Sequence, residues 1–105
     1  MDYASASATI KNRETKKVGN NTYLIRIDPE TIGVKLHNTI VVKIHKNGTY
    51  TLNSGGWRTV TTKSRINEFC PVKVGQKKYE WFVGDELFYD GIKVKVVNNV
   101  PLAGV

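Results

Sequence analysis

The chain is expected to be mainly β (α+β), a small antiparallel β-barrel or a two-layer β domain with one short helix inserted midway. Three observations predict this. Apolar residues recur at every second position over most of residues 23–96, turn signals separate these runs, and only residues 61–69 show helical spacing.

The first clear strand is Tyr23 to Asp28, where Tyr23, Ile25 and Ile27 alternate with Leu24 and Arg26 before Pro29 removes a backbone donor. Two further runs follow, Ile32, Val34 and Leu36, then Ile40, Val42 and Ile44. Paired residues share a face, so the apolar sets meet only when paired positions sum to an even number. This favours Leu36 opposite Val42 and Val34 opposite Ile44, with Asn38-Thr39-Ile40 as the loop. At Lys46-Asn47-Gly48 the same parity selects a three-residue loop with Gly48 left-handed, Tyr50 opposite Ile44 and Leu52 opposite Val42. The expected inner face is Val34, Leu36, Val42, Ile44, Tyr50 and Leu52. Lys35, Lys43 and Thr51 are expected as a row across the outer face, which also carries His37 and His45.

Ser54-Gly55-Gly56-Trp57 breaks the sheet, because adjacent glycines serve where backbone turns sharply or approaches another group closely. Residues 61–69 then read as a helix capped by Thr61 or Thr62, with Ile66 and Phe69 on one face and Pro71 enforcing the stop. Strands are expected again at Val72-Lys73-Val74, at Tyr79 to Val83 with Tyr79, Trp81 and Val83 facing the core, and at Leu87-Phe88-Tyr89. Ile92 to Val96 follows the hairpin signal Asp90-Gly91. About six to eight short strands result. Residues 1–20 hold few apolar side chains and are expected as a mobile or loosely docked arm, residues 21–100 as the single domain, and residues 101–105 as a tail.

The length of 105 residues suits one core. No apolar run approaches the roughly 20 residues of a membrane-spanning helix, so no membrane partner and a cytoplasmic location are expected. The lone Cys70 has no partner for a disulfide and no ligand-spaced neighbours for zinc, and it reads as a small buried hydrophobe. Phosphate-loop, nucleophile-elbow and HExxH motifs are absent from the sequence, so no catalytic residue, metal or cofactor is assigned. Asp85, Glu86 and Asp90 cluster in sequence, but turns favour Asp for backbone reasons.

The formal charge of +7 attracts polyanions and points to nucleic acid or an acidic protein as partner. The densest candidate site is Gly55, Gly56, Trp57, Arg58, Thr61, Thr62, Lys63 and Arg65. It combines a helix start, backbone open to close approach, hydroxyls, cations and a ring for stacking. Packing explains the same residues as a corner at Gly55-Gly56 with Trp57 filling the space under it, a threonine cap and solvated cations. A secondary basic surface comprises Lys35, Lys43, Lys73, Lys77 and Lys78, the last three running into Tyr79 and Trp81.

The strings Leu36-His37-Asn38-Thr39 and Leu52-Asn53-Ser54-Gly55-Gly56-Trp57-Arg58-Thr59-Val60-Thr61-Thr62-Lys63-Ser64-Arg65-Ile66-Asn67 resemble a family of small uncharacterised proteins of tailed bacteriophages. Val18 to Tyr23, Trp81-Phe82-Val83 and Asp90-Gly91-Ile92 extend the resemblance over about residues 18–97, leaving 1–17 outside. The resemblance implies a phage accessory protein in the cytoplasm of the host bacterium. It would act by binding nucleic acid, a nucleotide or another anion, or by inhibiting a host polymerase, nuclease or defence protein.

Overall fold

The computed structural model describes residues 1–97 and 100–103. The hairpin at Gly48 has the register its parity demands. Strands β4 (Thr39–His45) and β5 (Thr49–Leu52) pair Ile44 with Tyr50 and Val42 with Leu52, and Gly48 sits at φ +92.

Strand β3 (Thr31–Leu36) joins β4 in a different register from the one expected. Val34 opposes Val42 rather than Ile44, and beyond that pair Lys35 opposes Ile40 and Leu36 opposes Thr39. Val41 is the extra residue of a bulge, and both Val41 and Val42 are buried. The expected three-residue loop shrinks to a tight turn at His37-Asn38, with His37 at φ 55. Parity presumes unbroken alternation, and one bulge reverses it. Lys43 and Thr51 still share an outer row, but their β3 neighbour is Gly33, while Lys35 pairs with Tyr23 and Ile40.

Strands β1 (Thr15–Gly19) and β2 (Thr22–Asp28) extend this sheet on one side. Strands β9 (Ile92–Val97) and β10 (Val100–Ala103) extend it on the other, so seven antiparallel strands lie in the order β1-β2-β3-β4-β5-β9-β10. The expected tail is therefore an edge strand over residues 100–103, where Pro101, lacking an N–H, is tolerated. Residues 98, 99, 104 and 105 lie outside the described residues.

A second sheet holds β6 (Val74–Lys77), β7 (Glu80–Val83) and β8 (Glu86–Leu87). The strands expected at Val72 and Leu87-Phe88-Tyr89 are shifted or shorter, and Asp90-Gly91 closes no hairpin. It is the crossing between sheets, where the Gly91 amide donates to the Leu52 carbonyl at 2.7 Å.

Helix α2 (Val60–Phe69) lies where one helix was expected. Its cap is Thr59, whose hydroxyl accepts from the Thr62 amide at 3.2 Å, rather than Thr61 or Thr62. Ile66 and Phe69 are buried, and the chain leaves the helix at Cys70 ahead of Pro71.

The arm expected over residues 1–20 is instead helix α1 (Tyr3–Ile10) followed by β1. Asp2 caps α1 by accepting from the Ser5 amide at 2.8 Å. Tyr3, Ala6 and Ile10 recur at i, i+3 and i+7. Ala6 and Ile10 are fully buried, and the Tyr3 hydroxyl donates to the Pro29 carbonyl at 2.8 Å. A small Ala6 lets the helix axis approach the sheet, which is why so few apolar residues suffice.

The molecule is thus the two-layer alternative, with two helices and no closed barrel. One layer is the seven-stranded sheet. The other is α1 and α2, packed on the inner face where Val34, Leu36, Val42, Ile44, Tyr50 and Leu52 are all buried as expected, with the small sheet joined to α2 through β6. The shortest molecular dimension is 17 Å, as two layers spaced about 10 Å apart require. No element packs on the other face of the large sheet among the described residues.

Candidate functional site

The Gly-Trp-Arg segment is built as a corner. Gly55 lies at φ +63, and a Cβ there would stand 2.6 Å from the Thr39 hydroxyl. Only glycine permits both the left-handed turn and this approach. The buried Ser54 donates its amide (2.8 Å) and hydroxyl (2.7 Å) to Asp90, and its Oγ accepts from Arg58 Nε at 3.0 Å. The Arg58 guanidinium lies 4.7 Å from the Phe88 ring centroid and 5.3 Å from that of Trp81. A contact of 3.9 Å to Asp90 completes its surroundings.

Burial alone would raise the Asp90 carboxyl. The bonds from Ser54 and the charge of Arg58 outweigh it and hold the group below its ordinary value. Asp90 is therefore occupied, and no joint site with Asp85 and Glu86 forms.

The other cations of the segment have protein partners as well. Lys63 Nζ donates to Gln76 at 3.1 Å. Arg65 Nε donates to Thr22 at 2.9 Å, and its head lies 3.9 Å from Glu68. A cleft of about 420 Å³ does lie beside the helix start. Trp57, Thr61 and Thr62 line it with Leu36, His37 and Thr39, but Arg58, Lys63 and Arg65 do not. Trp57 is 67% exposed at the cleft, so it does not fill the corner. The structure thus separates the ring and hydroxyls from the cations that sequence reasoning grouped with them.

The secondary basic surface also divides. Lys73 reaches back to the Asn67 and Cys70 carbonyls at the end of α2. Lys77 and Lys78 lie at the β6–β7 turn, where Lys78 (φ 51) and Tyr79 (φ 69) are both left-handed. Tyr79 is 96% exposed there rather than core-facing, while Trp81 and Val83 are buried. Cys70 is buried, which pushes its thiol up to about 11 and makes it a poor nucleophile at neutral pH.

Lys35 and Lys43 lie on the uncovered face of the large sheet, and the register brings further residues to them. One row reads Lys17, Tyr23, Lys35, Ile40, and the next Thr15, Ile25, Gly33, Lys43, Thr51, Lys93. Lys95, opposite Thr49, extends the cationic side. Among the described residues, Asp28, beside the β2–β3 turn, is the carboxylate that the strand register brings to this face.

Ile25, Ile27 and Ile40 close over Gly33, where an added Cβ would meet Ile27 at 2.8 Å and Ile40 at 3.0 Å. With Tyr23 they form an apolar band between lysines, and Tyr23 remains 39% exposed. His45, Lys93 and Lys95 border a basin of about 340 Å³ with Asn47 and Thr49. Both His45 ring nitrogens contact threonine hydroxyls, Thr31 at 3.3 Å and Thr51 at 2.8 Å. Burial, then the charges of Lys93 and Lys43, lower the His45 pKa against an opposing pull from Asp28. Burial dominates that shift, and the lysine charges add to it.

Sequence reasoning missed Lys17, Lys93 and Lys95. The alternation in Ile92-Lys93-Val94-Lys95-Val96 already places both later lysines on one face. Their neighbours, however, come from pairing β9 with β5 across a long connection.

Residues 3–96 match the model of a family described as Kyanoviridae Gp96 protein, and the chain belongs to that phage protein family. The match includes α1, which the sequence resemblance left outside. No curated protein and no solved structure matches the chain.

Proposed function

For this member of the Kyanoviridae Gp96 family, we propose a binding rather than catalytic role, in which the uncovered face of the seven-stranded sheet holds nucleic acid in the host cytoplasm. The observation that carries this reading is the convergence of Lys17, Lys35, Lys43, Lys93 and Lys95 on one face with Asp28 at its corner. Five cations from four strands form a field that no local sequence run contains. Phosphates binding there release counterions, a driving force independent of base sequence. The Gly-Trp-Arg segment then serves as the corner that fixes the two sheets, and its cations are not the contact residues.

The test is the salt dependence of binding to a labelled oligonucleotide. Lys43→Ala and Lys93→Ala should each weaken binding, and each should reduce the slope of log affinity against log salt by about 0.7–0.9. Arg58→Ala should leave that slope unchanged under conditions where the variant is folded. Unchanged binding in both lysine variants, with loss in Arg58→Ala, would return the site to the corner.

A second reading is a host-directed protein inhibitor. The exposed Trp57 beside its cleft favours it, since aromatic residues commonly anchor protein interfaces.

A further inference from the structure

We infer that the nucleic acid on this face is a single strand, its bases laid over Tyr23 and the Ile25–Ile27–Ile40 band and its phosphates carried by the surrounding lysines. This inference rests on the proposed nucleic-acid role and narrows its substrate class.

A duplex offers phosphates and groove edges to a broad sheet, with its base faces stacked inside. Against a face of lysines alone, that would be sufficient. Here the centre is apolar instead. Tyr23, Ile25 and Ile27 project on the same side of β2, and Ile40 reaches over Gly33 from β4 to join them. Pressing hydrated phosphates onto such a band removes water from charged oxygens without giving them donors, which is unfavourable. Unstacked bases present apolar π-faces that cover the band, and the Tyr23 ring supplies a stacking partner.

The spacing suits that occupant. Alternate residues along β2 stand about 6.8 Å apart, leaving room for one splayed base at each outward side chain. Lys17 and Lys35 flank Tyr23 in its own row, one on each neighbouring strand, about 5 Å away by strand spacing. Lys43 lies beside Gly33 in the next row, with Lys93 two strands further on. A backbone bordering the band therefore meets ammonium groups on both sides. A side chain at position 33 would press on Ile27 and Ile40, so the glycine leaves the space in which the isoleucines lie across the strand.

The measurement is fluorescence anisotropy of the full chain with a labelled oligothymidylate and with a blunt duplex of equal length, at one low salt concentration. A labelled polyglutamate serves as an acidic polymer without bases. The single strand should bind at least tenfold more tightly than the duplex. Tyr23→Ala should weaken single-strand binding about tenfold and leave duplex binding unchanged, while Tyr23→Trp should restore it. Tyr23 is partly exposed, and circular dichroism of each variant verifies the fold. Equal affinity for both nucleic acids, or no effect of Tyr23→Ala, overturns the single-strand inference but leaves the nucleic-acid role standing. Binding to neither, or equal binding to polyglutamate, overturns the role itself.

Discussion

Trp81→Ala is expected to lower stability by about 3–5 kcal/mol, the usual cost of emptying a large aromatic site in a core. Trp81 is buried, stands edge-on to Phe88 at 5.3 Å with an interplanar angle of 68°, and receives the Arg58 guanidinium on its ring. It also lies on the central strand of the small sheet, between β6 and β8. Its loss removes the contact of that sheet with the corner as well as its own burial. Domains of this size hold about 5–15 kcal/mol in total, so the variant should unfold at much lower urea than the parent. Trp81→Phe should recover most of the difference. The emission of Trp57, the other tryptophan, provides a separate probe because that ring is exposed. A Trp81→Ala midpoint equal to that of the parent would mean that the small sheet is not packed as described.

Asp90→Ala is expected to cost about 2–3 kcal/mol, or roughly 10–20 °C in Tm for a domain of this length. The effect arises mainly at Ser54. That residue is buried, and both its amide and its hydroxyl donate to Asp90. Without the carboxylate two buried donors lose their acceptor. The Arg58 contact adds little, because both side chains are more than a third exposed and the separation is 3.9 Å.

The same pair of bonds sets a pH dependence. The folded-state pKa of Asp90 is depressed below the ordinary 3.8, with the Ser54 and Arg58 contributions exceeding the opposing effect of burial. Its stabilisation is therefore complete above the unfolded value and is lost as pH falls through the folded value. Thermal denaturation between pH 6 and pH 2 should show the parent losing stability below about pH 4. Asp90→Asn, with no charge to titrate, should show a shallower decline. Parallel curves for the two proteins would exclude this role for the carboxylate.

Local patterns in the sequence were sufficient wherever alternation ran unbroken. The Ile44–Tyr50 and Val42–Leu52 pairs, left-handed Gly48, the Ile66–Phe69 face and the six inner-face residues all follow from periodicity and turn chemistry. The β3–β4 register does not, because the Val41 bulge inserts one residue and nothing in a β-branched run marks where it falls. Helix α1 escapes notice because Ala6 packs by being small, so the segment looks polar. The Asp2 cap and the spacing of Tyr3, Ala6 and Ile10 were its readable signals.

Alternation along β2 leaves its inward side undecided. Leu24 pairs with Val34 in the core, while the more apolar set Tyr23, Ile25 and Ile27 turns outward over Gly33. Of the five lysines on the candidate interface, Lys35 and Lys43 were visible. The remainder depends on β9 crossing to β5 and on β1 folding back against β2. The first is a pairing between distant residues that no local pattern marks, whereas the second is a local hairpin turning at Asn20-Asn21, hidden because residues 1–20 hold so few apolar side chains.

Backbone amide shifts of the full chain, followed as oligothymidylate is added at low salt, test the central claim most directly. Shifts should concentrate on the strands around Tyr23, Gly33, Lys43 and Lys93, with residues 54–65 comparatively unaffected. Shifts confined to residues 54–65, or none at all, would contradict the uncovered sheet face as the binding surface.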